Sequence, residues 1–302
     1  MLLNNKKILV TGGSGMVGKH LQEILPTSYN VTYVNSKDCD LTNIKEVEWL
    51  ISSYTPDHVI HLAAKVGGIQ DNILKPAEYF DNNILMNTIL IKICQEYKVK
   101  NFTGVLSTCI YPNKLDTYPM TEEDIFKGPP TSTNFSYGYA KRSMAVQIDA
   151  YNKQYGTNYN YLIPCNLYGE YDNFENEKKM HFITSLLSKI KNSDGKLELL
   201  GTGKPLRQFI YAGDLAKIIL KVINNNITES FNISPDWNYS IDDMVREAIQ
   251  VLNKNLEIHY SNPELDGQYR KDVSNEKMKK IIPDFKFTSF EHGIKKVYDK
   301  VS

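Results

Sequence analysis

The chain of 302 residues contains 41% apolar residues and 35 basic against 35 acidic residues, so its formal net charge is zero. This length can bury one large core or two joined cores, and the balanced charge argues against nucleic acid as a partner. The chain starts with polar residues and contains no run of about 18 apolar residues, so we predict a cytoplasmic protein without a membrane partner. Its four cysteines are widely spaced, which predicts neither a bound metal nor a disulfide framework.

Strand-like and helix-like segments alternate along the first 160 residues. The predicted order is strand 7–11, helix 18–25, strand 31–34, helix 43–53, strand 58–62, helix 82–97, strand 102–107 and helix 137–155. Short β-branched runs that alternate with longer amphipathic segments are typical of a doubly wound parallel sheet of the Rossmann type. We therefore predict an α/β fold.

The regular alternation of strand-like and helix-like segments ends near residue 165. A helix is expected near 182–191, but the segment 224–238 is polar and rich in Asn. We predict a Rossmann domain over residues 1–164 and a smaller α/β domain over residues 165–302. This boundary rests only on the end of the alternating pattern, so later segments could still belong to the first domain.

A glycine-rich turn, Thr11-Gly12-Gly13-Ser14-Gly15-Met16-Val17-Gly18, follows the first predicted strand. Glycines here would let the chain turn tightly, approach a pyrophosphate and pack the next helix against the strand. The N–H groups at the start of that helix would then face the phosphates. The dinucleotide contacts expected in this turn are Gly12, Ser14, Gly15, Met16, Val17 and Gly18.

The end of the second predicted strand indicates which dinucleotide binds. An acidic residue at this place would bind the 2′-hydroxyl of NAD, but here Val34 is followed by Asn35-Ser36-Lys37. This neutral and basic sequence suits a 2′-phosphate, so we predict NADP(H), with Lys37, Ser14 and Asn35 near that phosphate. Further cofactor contacts are expected from Asp40, Leu41, Leu62, Ala63 and Ala64.

Three residues form the pattern of a carbonyl-reducing site. Tyr137 and Lys141 stand four apart and would share one helix face, and Ser107 ends the strand before them. A tyrosine can act as general acid or base near neutral pH when a cation such as Lys141 favours its phenolate. Ser107 would hydrogen-bond the substrate oxygen.

Several further segments carry a family resemblance. They are Ala63-Ala64-Lys65-Val66-Gly67-Gly68-Ile69, Ser107-Thr108-Cys109-Ile110-Tyr111-Pro112, Tyr137-Gly138-Tyr139-Ala140-Lys141, Asn166-Leu167-Tyr168-Gly169, Asp172-Asn173-Phe174, Arg207-Gln208-Phe209 and Asp266-Gly267-Gln268-Tyr269-Arg270-Lys271. With them the chain resembles the GDP-L-fucose synthase family of extended short-chain dehydrogenases over nearly its whole length. The Lys-Val-Gly-Gly-Ile and Cys-Ile-Tyr-Pro segments are specific, whereas the glycine turn and the Tyr/Lys pair occur throughout the superfamily.

The resemblance implies an NADPH-dependent enzyme that reduces C4 of a GDP-linked 4-keto-6-deoxy sugar. It also implies inversion at C3 and C5, whose hydrogens are acidic beside the carbonyl, with Cys109 and His181 as the family's base and acid pair. A thiolate with a lowered pKa can accept a proton, and histidine can deliver one near neutral pH. Tyr137 would protonate the new alkoxide. A homodimer through the long helices at 76–97 and 137–155 is implied as well.

The region expected to hold the sugar nucleotide departs from the family pattern. An arginine common in the helix after the histidine is Lys189 here, and an aromatic residue before Gly201 is Leu200. Lysine neutralises a phosphate but cannot form a bidentate fork, which leaves the pyrophosphate grip and the sugar preference open. The expected substrate contacts are Lys189, Arg207 and Lys271 for phosphates and Asp266 for a ribose or base edge.

Other functions remain open at this stage. The sugar could be a hexose or a heptose, and the inversion at C3 and C5 could be completed earlier by another enzyme. A nucleotide-sugar 4-epimerase would keep NAD tightly bound and would not need the Cys/His pair. A nonenzymatic dinucleotide-binding protein could use the same fold, although it would tolerate the loss of its reactive groups.

Overall fold

The computed structural model describes residues 6–174 and 180–301. The strands over these residues are β1 (Lys7–Thr11), β2 (Asn30–Val34), β3 (His58–His61), β4 (Asn101–Val105), β5 (Asn158–Pro164), β6 (Asn166–Tyr168), β7 (Lys196–Leu200), β8 (Leu206–Arg207), β9 (Phe209–Tyr211), β10 (Phe231–Ile233), β11 (Tyr239–Ser240) and β12 (Glu257–Ser261). The helices are α1 (Met16–Ile24), α2 (Ile44–Tyr54), α3 (Ile69–Leu74), α4 (Pro76–Glu96), α5 (Phe135–Tyr155), α6 (Phe182–Asn192), α7 (Ala212–Asn225), α8 (Ile241–Val251), α9 (Glu276–Ile281) and α10 (Phe290–Val301). In this part of the chain, no helix has the length and apolar character needed to cross a membrane.

The main sheet has six parallel strands in the order β10-β5-β4-β3-β1-β2. Apolar side chains of α2, α4 and α5 cover one face, and those of α1 and α7 cover the other. Because both faces are covered, Ile8, Leu9 and Val10 of β1 are all buried. The predicted doubly wound α/β sheet is confirmed.

Strand β10 and helix α7, which both follow residue 164, are part of the main sheet and its helix cover. Strand β10 pairs with β5 at the edge of the sheet, and α7 packs against α1. The surrounding segment 224–238 was expected to be only polar, but Phe231 and Ile233 are buried, and Asn232 accepts a hydrogen bond from the Tyr111 hydroxyl at 2.7 Å. Three residues are too few to show a strand period in the sequence. The division of the chain into two domains near residue 165 remains a proposal.

Helix α4 begins at Pro76, the start of the long helix predicted at 76–97 and six residues before the helix-like pattern that begins at residue 82. Pro76 occupies its first turn, where the fixed backbone angle of proline suits a helix start. The buried face of α4 includes Tyr79, Asn83 and Asn87, and these polar side chains conceal the apolar period. The other expected elements agree with the structure to within two residues at each end.

The rest of the chain forms another apolar core. Helices α6, α8 and α10 pack beside the parallel pair β7 and β12, with Ile183, Leu187, Val245 and Ile294 buried between them. The short pair β6 and β9 lies where the chain leaves the main sheet. This core faces the carboxyl ends of the main strands across the cavity described below.

Candidate active site

A cavity of about 960 Å³ lies at the carboxyl ends of the main strands. Residues that follow β1, β2, β3, β4 and β5 line one side, and Phe182 and Phe209 line the other. Ligands of open parallel sheets bind at this edge. The expected site residues that line the cavity are Gly12, Ser14, Gly15, Met16, Val17, Gly18, Asp40, Leu41, Leu62, Ala63, Ala64, Ser107, Cys109, Tyr137, Lys141 and His181.

The glycine turn holds β1, β3 and α1 close together. Gly12 has a φ of +73°, and a Cβ there would lie 2.7 Å from the backbone nitrogen of Ala63. A Cβ on Gly18 would lie 2.4 Å from the carbonyl oxygen of Gly13, so the helix also requires glycine at that place. Helix α1 begins at Met16, directly at the cavity. This turn therefore fits the pyrophosphate of a dinucleotide.

The loop after β2 forms the far end of the cavity. The Asp38 carboxylate accepts a hydrogen bond from the Asn35 backbone at 2.8 Å, and the Asn35 side chain accepts one from the Lys37 backbone at 2.8 Å. The Asp40 carboxylate accepts hydrogen bonds from both the backbone and the hydroxyl of Thr42. Asp40 lines the cavity, whereas Lys37 is exposed at its outer margin and is not part of the lining.

Tyr137 and Lys141 lie one turn apart at the start of α5, and Ser107 follows β4. We expected Lys141 to favour the phenolate of Tyr137, but its buried ammonium donates to the Val105 carbonyl at 2.9 Å. Burial lowers the pKa of Lys141 to about 7. Burial and the nearby Cys109 raise the pKa of Tyr137. Tyr137 is therefore protonated at neutral pH, the state needed to give a proton to an alkoxide.

Helix α5 packs directly on the turn that carries Cys109. A Cβ on Gly138 would lie 2.7 Å from the Cys109 carbonyl oxygen, so glycine permits this approach. The Arg142 guanidinium, one turn further along α5, donates to the Ile110 carbonyl at 2.8 Å and to the Gly128 carbonyl at 2.8 Å. This role of Arg142 could not be predicted from the sequence, because its partners are backbone carbonyls, which no side-chain pattern identifies.

Cys109 accepts hydrogen bonds from two other parts of the chain. The Asn134 amide donates to its sulfur at 3.0 Å, and the Lys271 ammonium donates at 3.3 Å. Burial would raise the pKa of the Cys109 thiol, but the charge of Lys271 and the hydrogen bonds to the sulfur outweigh it, so the pKa lies below its ordinary value. The thiol is only partly buried and lines the cavity. These are the surroundings of a reactive cysteine.

His181 is the residue directly before α6 and is paired with a carboxylate. Its Nδ1 lies 2.9 Å from Asp172 Oδ1, and Thr184 donates its hydroxyl to the other oxygen of Asp172. The hydrogen bond that the ring donates to the Asp172 carboxylate raises the pKa of His181, although burial opposes it. Asp172 belongs to the segment Asp172-Asn173-Phe174, from which no role for it was predicted.

The four predicted substrate contacts are bound to partners within the protein. Lys189 is exposed and donates to the Glu198 carbonyl at 3.0 Å, and Asp266 accepts from the backbone of Thr202 at 2.6 Å. Arg207 donates to the Leu206 carbonyl at 2.8 Å. None of the four predicted substrate contacts lines the cavity. The fourth, Lys271, reaches Cys109 as described above.

Known proteins resemble this chain in sequence and in fold. Residues 8–234 match the model of the NAD dependent epimerase/dehydratase family. A GDP-L-fucose synthase of Dictyostelium discoideum is 37% identical over 97% of this chain and 94% of its own length, and a probable GDP-L-fucose synthase of Drosophila melanogaster is 35% identical over 96% and 95%. The structure of a GDP-L-fucose synthetase from Naegleria fowleri bound to NADP is 31% identical, with a TM-score of 0.89 over 99% of this chain and 93% of that one. The chain therefore belongs to the NAD dependent epimerase/dehydratase family and, within it, to the GDP-L-fucose synthase family.

Proposed function

We propose that the protein is an NADPH-dependent oxidoreductase that reduces C4 of a GDP-linked 4-keto-6-deoxy sugar after inverting C3 and C5. One observation carries the proposal: Tyr137, Cys109 and His181, which could serve a reduction and an epimerisation, line a single cavity at the sheet edge. The family membership supports the same reaction. We also propose that residues 165–302 mainly hold the sugar nucleotide.

The inversion requires a base and an acid that face opposite sides of the sugar ring. The Cys109 thiolate removes the proton from C3 or C5, the C–H electron pair moves into the enolate, and an S–H bond forms. His181, whose pKa is raised beside Asp172, delivers a proton to the other face of the carbon. Exchange with water then returns the proton of the thiol to solvent and protonates the imidazole again.

The reduction uses the second set of residues. When NADPH is bound, it supplies the hydride that adds to C4. Ser107 hydrogen-bonds the ketone oxygen, and Tyr137 gives its phenol proton to that oxygen as the C–O double bond becomes single. Solvent replaces the proton of Tyr137, so one proton and one hydride are consumed for each alcohol formed.

The glycine turn and the loop after β2 are the proposed cofactor contacts. The N–H groups at the start of α1 would bind the pyrophosphate, and Asp40 and Leu41 would lie beside the adenine. Lys37 at the outer margin, with Ser14 and Asn35 in the wall, would bind the 2′-phosphate.

The substrate contacts and the assembly are also proposals. Arg207 is half-buried, and its planar guanidinium can form paired hydrogen bonds with phosphate oxygens, so we assign it to the pyrophosphate of the substrate. Lys189 and Asp266 would reach the nucleotide only after exchanging their present partners. Helices α4 and α5 pack together and expose Leu85 and Val146, which suits a homodimer of a cytoplasmic enzyme.

The reaction can be tested with GDP-4-keto-6-deoxymannose and NADPH in deuterated water, followed by mass and NMR analysis of the sugar. Oxidation of NADPH with deuterium at C3 and C5 would support both steps, and reduction without deuterium would limit the enzyme to C4 reduction. No oxidation with this hexose would direct the next assay to the corresponding heptose. Interconversion at C4 without net consumption of NADPH would instead support the 4-epimerase alternative.

A further inference from the structure

Lys271 approaches the reactive sulfur from a distant part of the sequence. Its Nζ donates to Cys109 Sγ at 3.3 Å, although 162 residues separate the two along the chain. The Asn134 amide donates to the same sulfur at 3.0 Å. A neutral thiol is a weak acceptor, whereas a thiolate gains from both an ammonium and an amide donor. The arrangement therefore suits the charged form of the cysteine.

The backbone around Lys271 is fixed on both sides. The Tyr269 carbonyl accepts from Leu206 N at 2.8 Å, and the Asp272 carbonyl accepts from Met120 N at 2.9 Å. The Arg270 guanidinium forms two hydrogen bonds with the buried Asp272 carboxylate, at 2.6 and 2.9 Å. These contacts limit the space that the Lys271 side chain can reach. Its place beside the sulfur follows from the fold.

The other cysteines provide an internal comparison. Cys39, Cys94 and Cys165 are buried, and burial raises the pKa of each thiol, for Cys39 to about 11. Cys109 is the described cysteine whose pKa is lowered, and the charge that opposes burial there is that of Lys271. The pKa of Cys109 therefore differs from those of the other cysteines because of the groups beside its sulfur.

We propose that Lys271 is a positioning residue that holds Cys109 as a thiolate base, and that it is not primarily a phosphate ligand. The proposal rests on the proposed epimerase step and deepens it. The groups that face the sulfur are the Lys271 ammonium, the Asn134 amide, the Ser107 hydroxyl, the Tyr137 phenol and, at longer range, the Arg207 guanidinium. Arg207 remains available for the substrate's pyrophosphate, so the two cations have separate roles.

The test measures the cysteine without any sugar. The resting enzyme is alkylated with iodoacetamide over a range of pH, and modification of the Cys109 peptide is followed by mass spectrometry. In Lys271→Met we expect the midpoint of the rate profile to rise by about one to three pH units, because the opposite charge is lost. The rate at pH 7 should fall about tenfold or more. Lys271→Arg should restore most of the reactivity.

Control variants distinguish the positioning of Cys109 from a general loss of charge and from phosphate binding. Lys280→Met removes an exposed ammonium on α9 and should leave the Cys109 profile unchanged. If Lys271→Met does not fold, Lys271→Gln gives the same comparison. A midpoint that stays within the spread of Lys280→Met would by itself overturn the proposal, and a raised KM for the GDP-sugar would then identify Lys271 as a phosphate ligand. Because alkylation needs no turnover, this result stands even if the enzyme does not reduce the proposed sugar.

Discussion

His181 Nδ1 lies 2.9 Å from a carboxylate oxygen of Asp172, whose side chain is almost fully buried. This pair leaves Nε2 of the imidazole for a ligand and keeps the ring protonated to higher pH. The pKa of Asp172 is lowered, since its hydrogen bond and charge interaction with His181 outweigh the burial that would raise it. Each residue thus favours the charged form of the other.

Asp172→Asn should weaken the acid in the inversion step. The proton donated by His181 is present below its pKa and is lost as pH rises through that value. Without the carboxylate the pKa of His181 falls, so deuterium incorporation should decline about one pH unit earlier than in the unchanged enzyme. The measurement is exchange at C3 and C5 against pH. Asp284→Asn, an exposed position, serves as the control. The same pH profile in Asp172→Asn and its control would contradict the pairing.

Tyr137→Phe removes the proposed proton donor for the reduction. General acid catalysis contributes about 10² to 10⁴ in rate, so single-turnover oxidation of NADPH should slow by that factor. Deuterium incorporation at C3 and C5 should persist, because Cys109 and His181 remain. Tyr139→Phe is the matched control, since Tyr139 is two residues along α5 and partly exposed. Equal rates in the two variants would assign the proton transfer to another group.

Cys109→Ser should separate the two reactions. A serine hydroxyl does not ionise near neutral pH, so it cannot replace the thiolate that removes the C3 and C5 protons. Reduction of an already epimerised 4-ketone should continue, because Tyr137 and Ser107 are unchanged. The assay compares deuterium uptake from the keto sugar with NADPH oxidation on the epimerised substrate. Loss of both activities would show that Cys109 is needed for the reduction as well.

Gly138→Ala tests the close packing of α5 on the Cys109 turn. Alanine usually stabilises a helix relative to glycine, but a Cβ at this position would lie 2.7 Å from the Cys109 carbonyl oxygen and 2.9 Å from Pro130 Cβ. Overpacking of this kind costs about 1 to 3 kcal/mol, so we expect a lower Tm and slower epimerisation. Gly128→Ala is the control, because its Cβ would meet Pro112 at 3.4 Å. A Tm for Gly138→Ala at or above that control would exclude the strain.

The sequence revealed those parts of the site that depend on local spacing. Tyr137 and Lys141 are four residues apart on one helix, and the glycine turn directly follows β1, so both could be recognised without a structure. Lys271 and Cys109 are 162 residues apart, and nothing in the spacing predicts their contact. The direction of the Lys141 ammonium, towards the carbonyl of Val105, depends in the same way on how α5 packs against β4.

Burial explains the remaining differences. Asn232 in β10 and Asn83 in α4 are buried but polar. A search for periodic apolar residues therefore does not detect their burial. Asn83 donates its side-chain amide to the Lys65 carbonyl and accepts from the Lys65 backbone N–H, which offsets the cost of burying it. The partners of such side chains come from other elements, and only the folded chain identifies them.

Lys37→Ala tests the proposed contact with the 2′-phosphate of NADP. Lys37 is exposed in the loop after β2, next to Asn35 and Ser36 of the cavity wall, so its contribution is that of a solvated charge. We expect the KM for NADPH to rise about two- to fivefold, equivalent to less than about 1 kcal/mol, while the KM for NADH hardly changes. Lys45→Ala on α2, also exposed, controls for the loss of one surface charge. An equal change for both cofactors would mean that Lys37 does not read the 2′-phosphate, and Ser14 and Asn35 would be the next positions to substitute.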